Sequence, residues 1–271
     1  MGVLNVTPDS FSDGGKFMDV EHAVAHAHEM VAAGADIIDV GGESTRPGAE
    51  PVSAEEEVRR VLPVIEKLAA PHPDPLPKGE RGDGLLISID TTKAVVAERA
   101  LAAGARIVND ISALRFDERM ADAVADAGCG VVLMHMQGAP QTMQQNPRYR
   151  DVVQEVREFL ADRIEFAVVR GVRKMQIAVD PGIGFGKTVE HNLQLLAELE
   201  QLRALGCPIV VGTSRKSFVG KVLGREVGDR LAGSLAVAAW AVAHAANIMR
   251  VHDVAETRDA VRMIEAIKRM G

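Results

Sequence analysis

Arg250 and His252 stand two residues apart behind the apolar pair Ile248-Met249, so on an extended segment both side chains leave from one face. A guanidinium beside an imidazole suits a polyanion such as a phosphate ester. The structural alternative sets Arg250 against a carboxylate and His252 in a loop hydrogen bond. Asp90, Asn109 and Asp180 each close another short apolar run. A carboxylate in such a place is costly without a partner. Asp90 and Asp180 could each accept two parallel N–H bonds from a heterocycle with an amino-imine edge. Asp90 has a second reading as the cap of a helix near Thr91-Thr92, whereas Asp180, before Pro181, has no comparable local role. Ser214-Arg215-Lys216-Ser217 joins two hydroxyls and two cations to a helix start near Phe218, a carboxylate or phosphate site if it is not a solvated basic turn.

Gly182-Ile183-Gly184-Phe185-Gly186-Lys187-Thr188 resembles two nucleotide motifs and fits neither. A phosphate-binding P-loop needs Gly where Pro181 stands, and the dinucleotide fingerprint needs a different glycine spacing. What remains is backbone with little side-chain cover beside Phe185, where a flat ligand could approach closely.

These residues need a scaffold that brings many strand ends together. Short apolar runs end in polar residues throughout: before Asn5, Asp39, Asp90, Asn109, His135, Asp180, Thr213 and Arg250. Stretches of helical length lie between, at 20–33, 54–68, 93–103, 118–127, 152–170, 189–205, 230–246 and 256–270. Eight strand-helix units predict an α/β fold, a single (β/α)8 TIM barrel spanning 1–271, with the chemistry at the carboxyl ends of the strands. Ser53-x-x-Glu56 predicts a capping box, a purely structural role. The Pro- and Gly-rich segment 71–84 predicts a flexible inserted loop on the opposite face. The connections 7–19 and 136–150 are long enough to serve as covers or binding loops.

With 47% hydrophobic residues but only 3% aromatic, the core must be built from Val, Ile, Leu, Ala and Met, as in a closed parallel sheet. A net charge of −7 argues against nucleic acid as the main partner. Cys129 and Cys207 lack a Cys-x-x-Cys arrangement and predict buried free thiols in a reducing compartment. No signal peptide is evident. The charge-free run 231–249 is Ala-rich and broken by Gly233, Ser234, His244 and Asn247, which predicts a helix against the barrel followed by a strand rather than a membrane span. A cytoplasmic protein is expected.

Taken in order, the segments 2–15, 41–48, 88–91, 109–112, 133–138, 180–186, 214–217 and 250–253 resemble the dihydropteroate synthase family along nearly the whole chain. The resemblance implies condensation of 6-hydroxymethyl-7,8-dihydropterin diphosphate with 4-aminobenzoate, in folate biosynthesis. It implies that Asp90, Asn109, Met134, Asp180 and Lys216 hold the pterin, and that Asn5, Arg250 and His252 hold the diphosphate, Asn5 with Mg2+. Phe11, Thr45, Arg46, Pro47, Phe185 and Ser217 would serve 4-aminobenzoate. Asp90, Lys216, Arg250 and His252 are the catalytic set. It further implies sulfonamide competition, a homodimer, and loss of diphosphate before amine capture.

Two departures stand out. Relatives usually carry a short N-terminal extension, so a start further upstream or a lower stability is expected. The insertion at 71–84 is expected to be inert. Two other readings are a non-catalytic pterin-binding paralogue and a barrel passing methyl groups from methyl-folate to a corrinoid.

Overall fold

The apolar runs pair side by side in chain order. The structure, a computed structural model, describes residues 1–6, 16–44, 50–70 and 85–270, with only the backbone for 16–19. Strands β1 (Gly2–Asn5), β2 (Ile37–Gly41), β3 (Leu86–Asp90), β4 (Ile107–Asp110), β5 (Gly130–Met134) and β6 (Ile177–Asp180) form one parallel ladder, and β7 (Val210–Gly212) pairs with β8 (Ile248–Arg250). Bridges between Gly2 and Val251 and between Val179 and Ile209 close the ring. At these seams Val3 N–H donates to Val251 O (3.0 Å) and Val179 N–H to Pro208 O (2.9 Å). The predicted (β/α)8 barrel is the observed fold.

The outer ring is α1 (Lys16–Ala32), α2 (Ala54–Ala69), α3 (Ala94–Ala103), α4 (Met120–Ala127), α5 (Val152–Val169), α6 (Val189–Ala197), α8 (Leu231–Ala243) and α9 (Val254–Lys268), with a short extra helix α7 (Ser217–Leu223) after β7. Branched aliphatics of the strands and alanines of the helices fill the space between the layers; Leu4, Ile38, Ile87, Ile89, Leu133 and Ile177 are all fully buried. Among the described residues no helix is long and apolar enough to cross a membrane. The run at 231–249 is α8 followed by β8, as expected.

Three local expectations need correction. The helix expected over 189–205 ends at Ala197 and continues as a tighter 3₁₀ segment, Leu199–Leu205, which buries Leu199, Leu202 and Leu205. The capping box is half formed. Ser53 Oγ accepts the Glu56 N–H (3.2 Å), but the Glu56 carboxylate engages Arg59 and Arg60. The cap of α3 is not Asp90: Asp117 Oδ2 accepts the Ala94 N–H (2.8 Å). Asp90 is thereby released for the barrel mouth.

Register sets the site. Asn5 lies beside Gly41, Gly41 beside Asp90, and Asp90 beside Asn109, so four residues from consecutive strands stand abreast. Gly212 lies beside Arg250 across the last pair. Phe11, Thr45, Arg46 and Pro47, and the inserted segment 71–84, lie outside the described residues.

Candidate active site

Arg250 is the electrostatic centre of the barrel mouth. Its Nε donates to Asp39 Oδ2 (2.6 Å) and its Nη2 to Asp90 Oδ2 (2.7 Å). Asp39 is completely buried and also accepts from Asn109 Nδ2 (3.0 Å). Burial raises the Asp90 carboxyl to about 7 against the opposing pull of Arg250, with Asp39 adding repulsion. The two carboxylates raise the Arg250 guanidinium above its ordinary value, outweighing burial. From the sequence, Asp39 reads only as a strand-end polar residue. The available signal was its charge inside the apolar run Ile37-Ile38-Asp39-Val40, which has no cheap explanation except a partner inside the barrel.

Asp180 and Lys216 form the other wall. Burial raises the Asp180 carboxyl, against the lowering effect of Lys216 and of the Gly182 N–H that Oδ1 accepts at 2.6 Å. The local turn therefore uses one oxygen, a role that the sequence did not suggest. Burial lowers Lys216 to about 8, with Asp180 resisting the shift. The Lys216 ammonium donates to Ile183 O and sits 4.7 Å from the centre of the Phe185 ring.

Between the walls lies a small apolar floor separate from the main core: Ile111, Met134, Met136 and Met143, with Phe185 packed on it. Ile111 is presented by an unusual turn in which Ala113 (φ 53°) and Leu114 (φ 64°) are both left-handed. Two such residues cost about 1 kcal/mol or more each. The buried Asp110 offsets this by accepting the Ser112 and Leu114 N–H groups (2.7 and 2.8 Å), while Arg163 Nε donates to Ala113 O (2.8 Å).

His252 stands near Ser214, Nδ1 at 3.2 Å from its Oγ. Ser217 is exposed as the first residue of α7, one position before the predicted helix start. Asn5 is exposed at the end of β1. A Cβ added to Gly41 would lie 3.8 Å from Asn5 Oδ1 and 3.8 Å from Asp90 Oδ2, the latter already accepting from Arg250. Among the described residues no group of three or more His, Cys, Asp or Glu gathers as a metal cage. Asn5 offers an oxygen of the kind Mg2+ takes, an ion that retains waters and relies heavily on phosphate oxygens.

The long loop after β5 is tied down rather than open. Gln137 and Arg148 are joined by two hydrogen bonds (3.0 and 3.2 Å), and Met143 is buried in the floor.

A protein-family model described as "Pterin binding enzyme" matches residues 1–252. The chain is 47% identical over 266 residues to the dihydropteroate synthase of Escherichia coli strain K12, covering 98% of this chain and 90% of that one. It superposes with a TM-score of 0.89 on Xanthomonas albilineans dihydropteroate synthase with 4-aminobenzoic acid, at 48% identity and covering 99% and 92% of the two chains. The Yersinia pestis enzyme in a sulfonamide drug complex gives 0.89 at 45% identity, covering 100% and 94%. With a pterin-binding barrel matched over nearly its full length, the chain belongs to the dihydropteroate synthase family and is a transferase.

Proposed function

We infer that this chain condenses 6-hydroxymethyl-7,8-dihydropterin diphosphate with 4-aminobenzoate, giving 7,8-dihydropteroate and diphosphate. The observation that carries the reading at residue level is the juxtaposition of Asp90, Asn109, Asp180 and Lys216 around one apolar floor at the barrel mouth. The pterin lies on Met134 with its donor edge toward the carboxylates, and Asn109 and Lys216 complete its polar contacts.

Arg250 and His252 take the diphosphate. Two of the five guanidinium N–H groups are bound to Asp39 and Asp90, leaving three for phosphate oxygens. Bound through Asn5 and the phosphate oxygens, Mg2+ would supply charge neutralisation for the leaving group. The carbon–oxygen bond to the pterin methylene breaks with its electron pair moving to the diphosphate, where Arg250 and His252 meet the charge that develops. The aniline lone pair then forms the carbon–nitrogen bond, and the nitrogen releases one proton. Phe185 and Ser217 position the amine substrate, with Phe11, Thr45, Arg46 and Pro47 assigned to the same pocket. An aromatic amine is neutral at pH 7, so no strong base is required.

Exposed Val222, Leu223, Val227, Leu231 and Trp240, from α7 through α8, support a homodimer packed on that face. The buried free thiols Cys129 and Cys207 suit the cytoplasm.

Diphosphate release coupled to a colorimetric readout tests the reaction. Release that depends on 4-aminobenzoate is expected. Diphosphate release that 4-aminobenzoate does not stimulate and that yields no dihydropteroate, or pterin binding without turnover, would refute it, and light scattering showing only monomer would remove the dimer.

A further inference from the structure

The lysine of the glycine-rich segment has no part in the reaction as described. Lys187 is 3% exposed, yet it carries an ionisable nitrogen. Its Nζ donates to Gly182 O and to Phe185 O, each at 2.9 Å, and lies 2.9 Å from His135 Nδ1 at the end of β5. A phosphate-binding lysine would offer its N–H groups to a ligand; this one directs them into its own loop. Burial lowers its pKa, with the neighbouring Asp180 opposing. The geometry serves either protonation state. As an ammonium it donates to two carbonyls and the imidazole nitrogen, and as an amine it donates twice and accepts from a His135 Nδ1–H.

The surrounding loop is held at every carbonyl from residue 182 to 186. Lys187 holds Gly182 and Phe185, Lys216 holds Ile183, Gln144 Nε2 holds Gly184 (2.6 Å) and the Tyr149 hydroxyl holds Gly186 (2.8 Å). Gly182 (φ +66°) is pressed against the strand end: a Cβ there would fall 1.9 Å from His135 O. Gly182 N–H contacts Asp180, and Phe185 is the residue whose carbonyl Lys187 holds. One nitrogen therefore fixes both the turn that orients a carboxylate and the ring that faces the second substrate.

We propose that Lys187 is a positioning residue for both substrates, setting Asp180 through Gly182 and setting Phe185 directly. The proposal rests on the reading of Asp180 as a pterin ligand and of Phe185 as an aminobenzoate contact. Lys187→Met keeps an unbranched side chain, one atom shorter, and removes the donors. In the folded variant the KM for 4-aminobenzoate should rise at least tenfold and pterin affinity fall at least fivefold, while kcat changes less than threefold. The split follows because diphosphate departure is served by Arg250 and His252, outside this loop. A purely structural lysine would lower stability and leave the KM of the folded fraction unchanged.

Amide hydrogen exchange supplies a measurement on the unmodified protein. The Gly184 and Phe185 amides should exchange as slowly as those of the β5 and β6 strands, and Lys187→Met should accelerate them at least tenfold. Rapid exchange in the native protein, or KM and pterin affinity within twofold in folded Lys187→Met, would overturn the proposal. Asp180→Asn and Phe185→Ala separate the two readings. If neither alters binding while Lys187→Met still loosens the loop, the substrate assignments and with them the positioning role fail. Affinity lost in the two controls but unchanged in Lys187→Met defeats the Lys187 proposal alone.

Discussion

Asp39 and Arg250, 211 positions apart in the chain, meet inside the barrel at 2.6 Å with the carboxylate fully buried. Removing one partner from such a pair leaves an uncompensated charge, which is typically worth about 3 to 5 kcal/mol. Asp39→Asn should therefore destabilise the protein by about that amount and also loosen Asn109, whose amide shares the same oxygen. Urea unfolding measures the loss. A change below about 1 kcal/mol would mean that Asp90 alone suffices to hold Arg250.

Pterin binding should weaken as pH falls. The Asp90 carboxyl is raised to about 7, so acidification through that value converts an acceptor into a neutral acid. The ligand's donor edge needs the carboxylate, so affinity is favoured above pH 7 and declines below it. Calorimetry with a pterin fragment at several pH values checks the direction, and Asp90→Asn should flatten the profile. Affinity that grows on acidification would exclude this role.

Asp180→Asn should weaken pterin binding far more than aminobenzoate binding, because the amide can present a donor where the heterocycle also presents donors. Loss of the charge-assisted contact should cost about 2 to 4 kcal/mol. Unchanged fragment affinity would take Asp180 out of the pterin site.

The His135 imidazole is held down to about 2, first by burial and then by the Lys187 and Arg115 charges. Its unfolded value is near 6.5, so below that pH the unfolded chain binds a proton that the folded protein refuses until about pH 2. Stability contributed by this group's refusal is thus lost progressively as pH drops through the window, by up to about 1.4 kcal/mol per unit. His135→Phe should reduce the slope of stability against pH between 6 and 4. An identical slope would show that other groups govern acid unfolding.

If diphosphate leaves before the amine attacks, ring-fluorinated 4-aminobenzoates should react at similar single-turnover rates under saturation. A tenfold fall across the series, or about 1.4 kcal/mol of barrier, would place the amine in the rate-limiting transition state.

The strand tips were readable because a charged or amide residue after Ile89, Val108 or Val179 breaks an apolar run at a defined place. Local periodicity likewise yields the helices. Asp39 was harder: its partners Asn109 and Arg250 are on other strands, and only closure of the ring brings them within reach. Lys187 was obscured for a related reason: once Pro181 and the glycine spacing rule out the nucleotide motifs, no local pattern gives it a role, and its partner His135 follows a different strand. The end of helix six was misplaced because 3₁₀ and α turns bury the same leucines at nearly the same spacing.

The floor built from Met134, Met136 and Met143 gives the pocket two mechanical characters. Thioether side chains are unbranched and polarisable, so they reshape under a flat ring with little penalty. The rim is the opposite: Asp90, Asp180 and Lys216 are fixed by ion pairing or backbone hydrogen bonds. For inhibitor chemistry, variation across the face of a bound heterocycle will be tolerated, whereas variation at its edge will be punished. Resistance and selectivity will accordingly be decided around the perimeter of a ligand, atom by atom, and bulk above the methionines will offer little discrimination.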